Sequence, residues 1–239
     1  VVLEKFMEGM SWRLGYDLIC LSGPRDREAL ERMLESSPFS SQRTVLTGLH
    51  RQNSLDHSQL SQEQRRKQLV FAEQVVMPSS PADRAEMVRI LADLARRSPD
   101  WEVLIKPRIA PGETTFHSTT EHIRPTLPLA LGHPRANLRL AYRPLPDLLG
   151  QARLMATVSS TAFFDALDVG CRPVVMADFG INPANGSHVF AGSGVWRCLD
   201  QVEDLDALDR SLPSPDPDWL AWMGYGTNLD PVELIEALR

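Results

Sequence analysis

A chain of 239 residues that is 43% hydrophobic and 23% charged has the composition of an ordinary globular protein, with room for one large domain or one and a half smaller ones. Its formal net charge of -6 lacks the basic field that non-specific nucleic-acid binding requires, so any anion site has to be local. Cys20, Cys171 and Cys198 are few, odd in number and far apart, which argues against a disulfide framework and a CxxC zinc site and fits a reducing cytoplasm.

The first residues, Val1-Val2-Leu3-Glu4-Lys5-Phe6, are not a basic leader followed by an apolar run. No stretch approaches the roughly 18 apolar residues of a membrane span, so the chain reads as a soluble protein that could dock on a membrane surface. Because it opens on Val1 and enters a helical pattern at once, we expect a piece of a longer chain. Val2, Leu3, Phe6 and Met10 give that helical spacing up to about Leu14. Tyr16 to Leu21 then reads as a strand and Arg25 to Glu35 as a helix. This α-β-α piece is too small to bury both faces of its strand alone. A short apolar stretch follows at Thr44 to Leu49. Gln52 to Lys67 reads as a linker whose Arg65, Arg66 and Lys67 form a solvated charge run.

A regular alternation begins at the apolar strand Gln68 to Ala72. A helix over Ala82 to Arg97 follows, with Met87, Ile90, Leu91 and Leu94 on one face, and then a strand over Trp101 to Lys106. A weaker helix near Ser118 to Leu131, a strand at Leu138 to Ala141 and a short helix at Pro146 to Leu149 come next. The strand Leu154 to Val158, a helix from Ala162 closed by Gly170, and the strand Pro173 to Met176 complete the series. Strands separated by such helices make parallel crossovers, so 68–200 should be a doubly wound α/β sheet. We divide the chain into an N-terminal α/β remnant with linker at 1–57, a Rossmann-like domain at 58–210, and a Pro-rich linker with a C-terminal helix at 211–239. Val232, Ile235 and Leu238 of that helix either pack back on the N-terminal part or serve as ordinary core contacts.

Ligands of such sheets lie outside the carboxyl ends of the strands, and this rule selects the candidates. Lys106-Pro107-Arg108 leaves one strand there, and a mobile ammonium beside a planar guanidinium suits a diphosphate; both could equally pair with carboxylates. Ser159, Ser160 and Thr161 leave another strand into a helix N-terminus, where hydroxyls add donors to a phosphate site or simply cap the helix. Glu73 and Gln74 face the same rim, Glu73 as a base, a ribose ligand or a solvated carboxylate. Asp178, Asn182, Asn185 and His188 could read a sugar. His117 is the other rim histidine, and each of the two could be structural or catalytic. His50, His57, His122 and His133 have no metal-ligand spacing, and no metal site is expected. The chain has no Walker loop, no G-x-G-x-x-G turn and no hydrolase nucleophile elbow.

The order Phe71-Ala72-Glu73-Gln74, Lys106-Pro107-Arg108, Thr157-Val158-Ser159-Ser160-Thr161-Ala162, Ala166-Leu167-Asp168-Val169-Gly170, Asp178-Phe179-Gly180 and Val189-Phe190-Ala191-Gly192-Ser193-Gly194 resembles a family of bacterial glycosyltransferases. More distantly it is similar to the nucleotide-sugar half of the GT-B enzymes that build capsule and teichoic-acid polymers, of the polysialyltransferase, Kdo transferase and glycerophosphotransferase types. The likeness runs from about Thr47 to Leu199. It implies the C-terminal donor half of a GT-B-like fold, with Lys106, Arg108, Ser159, Ser160 and Thr161 on the donor nucleotide's phosphate, often that of a cytidine nucleotide. This chain has Lys106-Pro107 where several relatives have His-Pro, so the residue either protonates the leaving phosphate or only neutralises it. The reading that follows is a metal-independent transfer from a nucleotide sugar to a glycan or polymer hydroxyl, with no cofactor beyond that co-substrate, in the cytoplasm, where association with the inner face of the membrane stays open. GT-B enzymes often take their base from the other domain, so the base could lie outside this chain. Two alternatives stay open: a nucleotide-sugar epimerase of similar fold, and a non-catalytic nucleotide-binding subunit of a polysaccharide assembly complex.

Overall fold

The computed structural model describes residues 8–35, 37, 43–49, 60–74, 80–110, 122–133, 136–227, 232 and 235–236. The chain divides into two compact units, Val1–Gln52 with Pro215–Arg239, and Asn53–Ser214.

In the larger unit the expected alternation gives β3 (Arg66–Ala72), α2 (Pro81–Arg97), β4 (Glu102–Lys106), α3 (Thr126–Leu131), β5 (Leu138–Leu140), α4 (Leu145–Leu149), β6 (Ala152–Thr157), α5 (Ala162–Asp168) and β7 (Arg172–Met176), followed by β8 (Trp196–Arg197) and α6 (Leu205–Ser211). The last two lie beyond the elements legible in the sequence. Among the described residues these strands form one six-stranded sheet in the order β5-β4-β3-β6-β7-β8. Every neighbouring pair is parallel. Counted along this unit the order is 3-2-1-4-5-6, that of a doubly wound Rossmann-type sheet, and the connections reverse direction between β3 and β6.

The sequence explains the layers. Central parallel strands are covered on both faces and read as continuous apolar runs, and every residue of β3 from Gln68 to Ala72 is buried. Helix α2 starts in a capping box: the Ser80 hydroxyl accepts the Asp83 N–H, the Asp83 carboxylate accepts the Ser80 N–H, and Pro81 occupies the first turn. Its stripe of Met87, Ile90, Leu91 and Leu94 is buried as the periodicity requires. The Asn137 amide then donates to the carbonyls of Ala95, Ser98 and Trp101, which locks the turn from α2 into β4.

The charge run at Arg65 is a correction to the sequence reading. Arg65 is 3% exposed, and Arg66 and Lys67 open β3 instead of a linker. Its guanidinium donates to the carbonyls of Leu149 at 3.1 Å and Ala152 at 3.0 Å, to that of Val169, and through Nε to Leu60 at 3.2 Å. A guanidinium can be buried where a ring of carbonyls receives its fixed fork of donors, and here the ends of α4, β6 and α5 supply that ring. Burial pushes its pKa below the ordinary arginine value.

In the smaller unit β1 (Ile19–Leu21) pairs in parallel with β2 (Thr44–Leu46), and α1 (Pro24–Leu34) buries Ala29, Leu30 and Leu34 with Ile19 and Leu21. Before α1, Gly23 passes so close to the later backbone that a Cβ there would lie 2.4 Å from the Gly224 nitrogen. Helix α7 (Pro217–Trp222) is capped by Asp216, whose carboxylate accepts the Trp219 N–H at 2.8 Å. The Trp222 indole donates to Glu28 of α1. The single C-terminal helix read from the sequence is thus interrupted: α7 ends at Trp222, and Gly224 and Gly226 follow with φ of 86° and 85°. Val232 and Ile235 are exposed, at 59% and 53%, and are not core contacts; Leu238 lies outside the described residues. Among the described residues no helix is long and apolar enough to cross a membrane.

Candidate active site

The ends of β4, β3, β6 and β7 lie side by side in the sheet order, so the residues that follow them share one rim. They are Lys106 to Arg108, Glu73 and Gln74, Ser159 to Thr161, and the loop 177–188. Hydrogen bonds join these ends in series. The Arg108 N–H donates to Glu73 Oε2 at 3.2 Å, and the Glu73 N–H to the Lys106 carbonyl at 3.1 Å, which ties β4 to β3. Gln74 ties β3 to β6 across the reversal point: its Oε1 accepts the Thr157 hydroxyl at 3.0 Å and the Ser159 N–H at 2.9 Å, and its Nε2 donates to Ser159 Oγ at 2.5 Å. Ser159 Oγ donates on to the Asn185 carbonyl at 2.7 Å, which ties β6 to the loop after β7.

The three hydroxyls divide their work. Ser159 is spent on this bridge. Ser160 caps α5, its Oγ accepting the Ala162 N–H at 3.2 Å, while its own N–H donates to Thr157 Oγ1. Thr161 is exposed, and its side chain makes no capping bond to α5.

Residues read as sugar contacts hold the loop together. Asn185 is 3% exposed. Its amide donates to the carbonyls of Phe179 and Gly180, and its Oδ1 accepts from the N–H and the hydroxyl of Ser187. Asn182 Oδ1 accepts the Asn185 N–H, and its Nδ2 donates to Phe179. The Asp178 carboxylate accepts the N–H groups of Leu199 and Asp200, both at 2.8 Å, so it fastens the turn after β8. Burial nevertheless raises its pKa. His188 stands at the end of this loop, and its Nδ1 is buried without a hydrogen-bond partner among the described residues. The same holds for Arg108 Nη1. Lys106 Nζ donates to the Pro107 carbonyl at 2.7 Å. His117 lies outside the described residues.

Glu73 is the electrostatic centre of the rim. It is 9% exposed, and burial raises its pKa, an effect opposed first by the Arg108 N–H and then by the charges of Arg84, His122 and Arg108. Arg84 and His122 were not among the sequence candidates. Arg84 belongs to the first turn of α2, and a cation at the start of the helix after a rim strand is the signal that could have found it. His122 bonds through Nε2 to the Tyr142 hydroxyl at 3.3 Å and accepts the Arg124 N–H, contacts that no spacing encodes.

Such a rim offers cations and, in Arg108 Nη1, a buried donor without a partner among the described residues, of the kind that stabilises an anionic group. Among known structures, the chain is similar to the pneumococcal O-GlcNAc transferase GtfA in complex with UDP and GlcNAc, at 15% identity and a TM-score of 0.50, covering 92% of this chain and 39% of that one. A UDP-GlcNAc 2-epimerase from Neisseria meningitidis aligns at 14% identity and a TM-score of 0.48, covering 91% and 60%. The calicheamicin glycosyltransferase CalG4 aligns at 16% and 0.46, covering 93% and 53%. The chain therefore spans less than two thirds of the length of each, and the first likeness is one of GT-B fold. No curated protein sequence matches the chain. The family model that does match covers residues 1–238, and by that match the chain belongs to the family described as "Putative glycosyltransferase (DUF6716)".

Proposed function

We propose that the unit Asn53–Ser214 binds an activated nucleotide sugar at the β4-β3-β6-β7 rim, and that the protein passes the glycosyl group to a glycan or polymer hydroxyl without a metal ion. We place this reaction in the cytoplasm, at the inner face of the membrane. The observation that carries the reading is the run of four strand ends, hydrogen-bonded across the reversal point, whose loops hold two buried nitrogens, Arg108 Nη1 and His188 Nδ1, without partners among the described residues.

As the glycosidic bond breaks, its electron pair moves to the nucleotide phosphate. Arg108 and Lys106 supply fixed positive charge where that negative charge develops. Ser160 and Thr161 are the hydroxyls that reach the phosphate, while Ser159 and Gln74 hold the turn that presents them. Glu73 acts as a positioning residue, because its carboxylate fixes the Arg108 backbone. His188 is the sugar contact we retain; Asp178, Asn182 and Asn185 shape its loop.

The test presents CMP-, UDP- and GDP-linked sugars with and without a glycan acceptor and reads the products by NMR. A new glycosidic linkage that requires the acceptor is expected. A free epimerised sugar formed without acceptor, or a donor that stays intact throughout the panel, would overturn the reading.

A further inference from the structure

Helix α3 (Thr126–Leu131) carries no charged residue, and Thr126 alone in it is polar, yet none of its residues is buried. Leu129 is 86% exposed. Leu127 and Leu131, one helical turn apart, line a cavity of about 550 Å³ together with Leu138 and Leu140 of β5. Those two strand leucines share one face of the sheet, and Arg139 between them points to the other, where it pairs with Glu102. A helix without a polar side belongs in a protein core or in lipid, and a cavity of this volume lined by leucines suits a hydrocarbon ligand.

Charge marks the same segment. From His122 to Pro146 the sequence holds Arg124, Arg135, Arg139 and Arg143 with His122 and His133, and neither Asp nor Glu, in a chain of net charge -6. Arg124 and His133 bracket α3, are exposed, and belong to the lining of the cavity. Helix α2 packs beside α3, but its Glu86 and Asp93 pair with Arg89 at 2.5 Å and Arg96 at 3.3 Å on their own helix. Exposed apolar side chains flanked by cations are the composition of a segment that lies in the interface of an anionic bilayer, with the chains in hydrocarbon and the cations at the headgroups.

We propose that α3 and this cavity form a membrane-docking surface for anionic phospholipid. Leu129 enters the bilayer, one acyl chain occupies the cavity, and Arg124 meets the headgroup phosphate with His133 beside the lipid. The Arg124 N–H donates to His122 Nδ1 at 2.9 Å, and His122 acts on Glu73, so the surface borders the proposed nucleotide rim. Placing the contact on the inner leaflet rests on the proposed function; the lipid contact itself rests on α3, its cavity and the charge around them.

Co-sedimentation of the nucleotide-free full chain with vesicles tests it, using phosphatidylcholine alone and phosphatidylcholine mixed in equal parts with phosphatidylglycerol. The mixed vesicles should bind about tenfold more tightly or better, and added salt should weaken that binding. Leu129→Ser should weaken it about tenfold or more with unchanged melting, because the exposed leucine is buried only in lipid. Arg124→Gln should weaken it about fivefold. Leu131→Trp keeps the helix apolar but fills the cavity, so it should also lower the affinity. Equal binding to both vesicle types, or a Leu129→Ser variant that binds like the parent, overturns the docking surface. A Leu131→Trp variant that binds like the parent overturns the acyl chain in the cavity. Calorimetry of Leu129→Ser with nucleotide should match the parent, and the vesicle results stand whether or not the rim binds nucleotide, so failure of the reaction and failure of the surface are read separately.

Discussion

Arg65 and Glu73 are both charged and both buried, yet they do opposite things to stability. Arg65 gives its donors to backbone carbonyls at the ends of three elements, so Arg65→Ala strands several buried acceptors at once. A loss of roughly 3 kcal/mol or more follows from about 1–3 kcal/mol per buried acceptor left unmade. Urea denaturation of the variant should show a clearly lower midpoint, and an unshifted midpoint would contradict the stapling role. Glu73 has a raised folded pKa, so its carboxyl favours folding below the ordinary carboxylate range and loses that contribution as pH rises through the raised value. Glu73→Gln should therefore gain stability relative to the parent as pH climbs from 4 to 8. Melting curves that keep a constant difference across that range would refute the sign. The sequence could not distinguish these fates. Arg65 sits in a polar run like any solvated cation, and only the carbonyls of Leu149, Ala152 and Val169, brought from more than eighty residues away, make it a core residue.

At the scale of elements, the strands and helices with strong periodicity were legible because hydrophobic pattern and caps agree, as in α2 with its Ser80 box and buried stripe. Strand β8, two residues long, and α6, bounded by Asp204 and Leu212, carry too little pattern to be read. Loops were legible by position alone. Their place at the carboxyl rim selected Gln74 and Ser159, but their bond to each other depends on β3 lying beside β6, which no local pattern states. The same holds for Asn185, whose amide reads as a sugar contact in sequence and is used up inside its own loop. Two changes test elements separately. Gln74→Leu should free the Ser159 turn and weaken nucleotide binding about tenfold, by removing contacts worth roughly 1–2 kcal/mol in orientation, while the far-ultraviolet spectrum stays unchanged. Gly23→Ala should destabilise the smaller unit by about 2 kcal/mol or more, because its Cβ meets Gly224 backbone that cannot yield like a side chain. Hydrogen exchange should then rise in 19–34 and 217–226; a uniform rise through 66–176 instead would contradict the division into units.

For the whole molecule, the larger unit is built on a doubly wound parallel sheet in Rossmann order, and the chain belongs to a glycosyltransferase family over residues 1–238. The donor, the acceptor and the catalytic assignments are our proposals, and they depend on one physical claim, that the rim at the reversal point binds a nucleotide phosphate. Isothermal titration of the full chain with CMP, CDP, UDP and GDP, repeated on Arg108→Gln, measures that claim directly. We predict that at least one nucleotide binds the parent and that Arg108→Gln weakens it about tenfold or more without lowering the melting temperature of the ligand-free protein, since a charge-assisted bond to phosphate contributes roughly 1.5–3 kcal/mol. Equal affinity in parent and variant, or no heat with any of the four nucleotides, would contradict it.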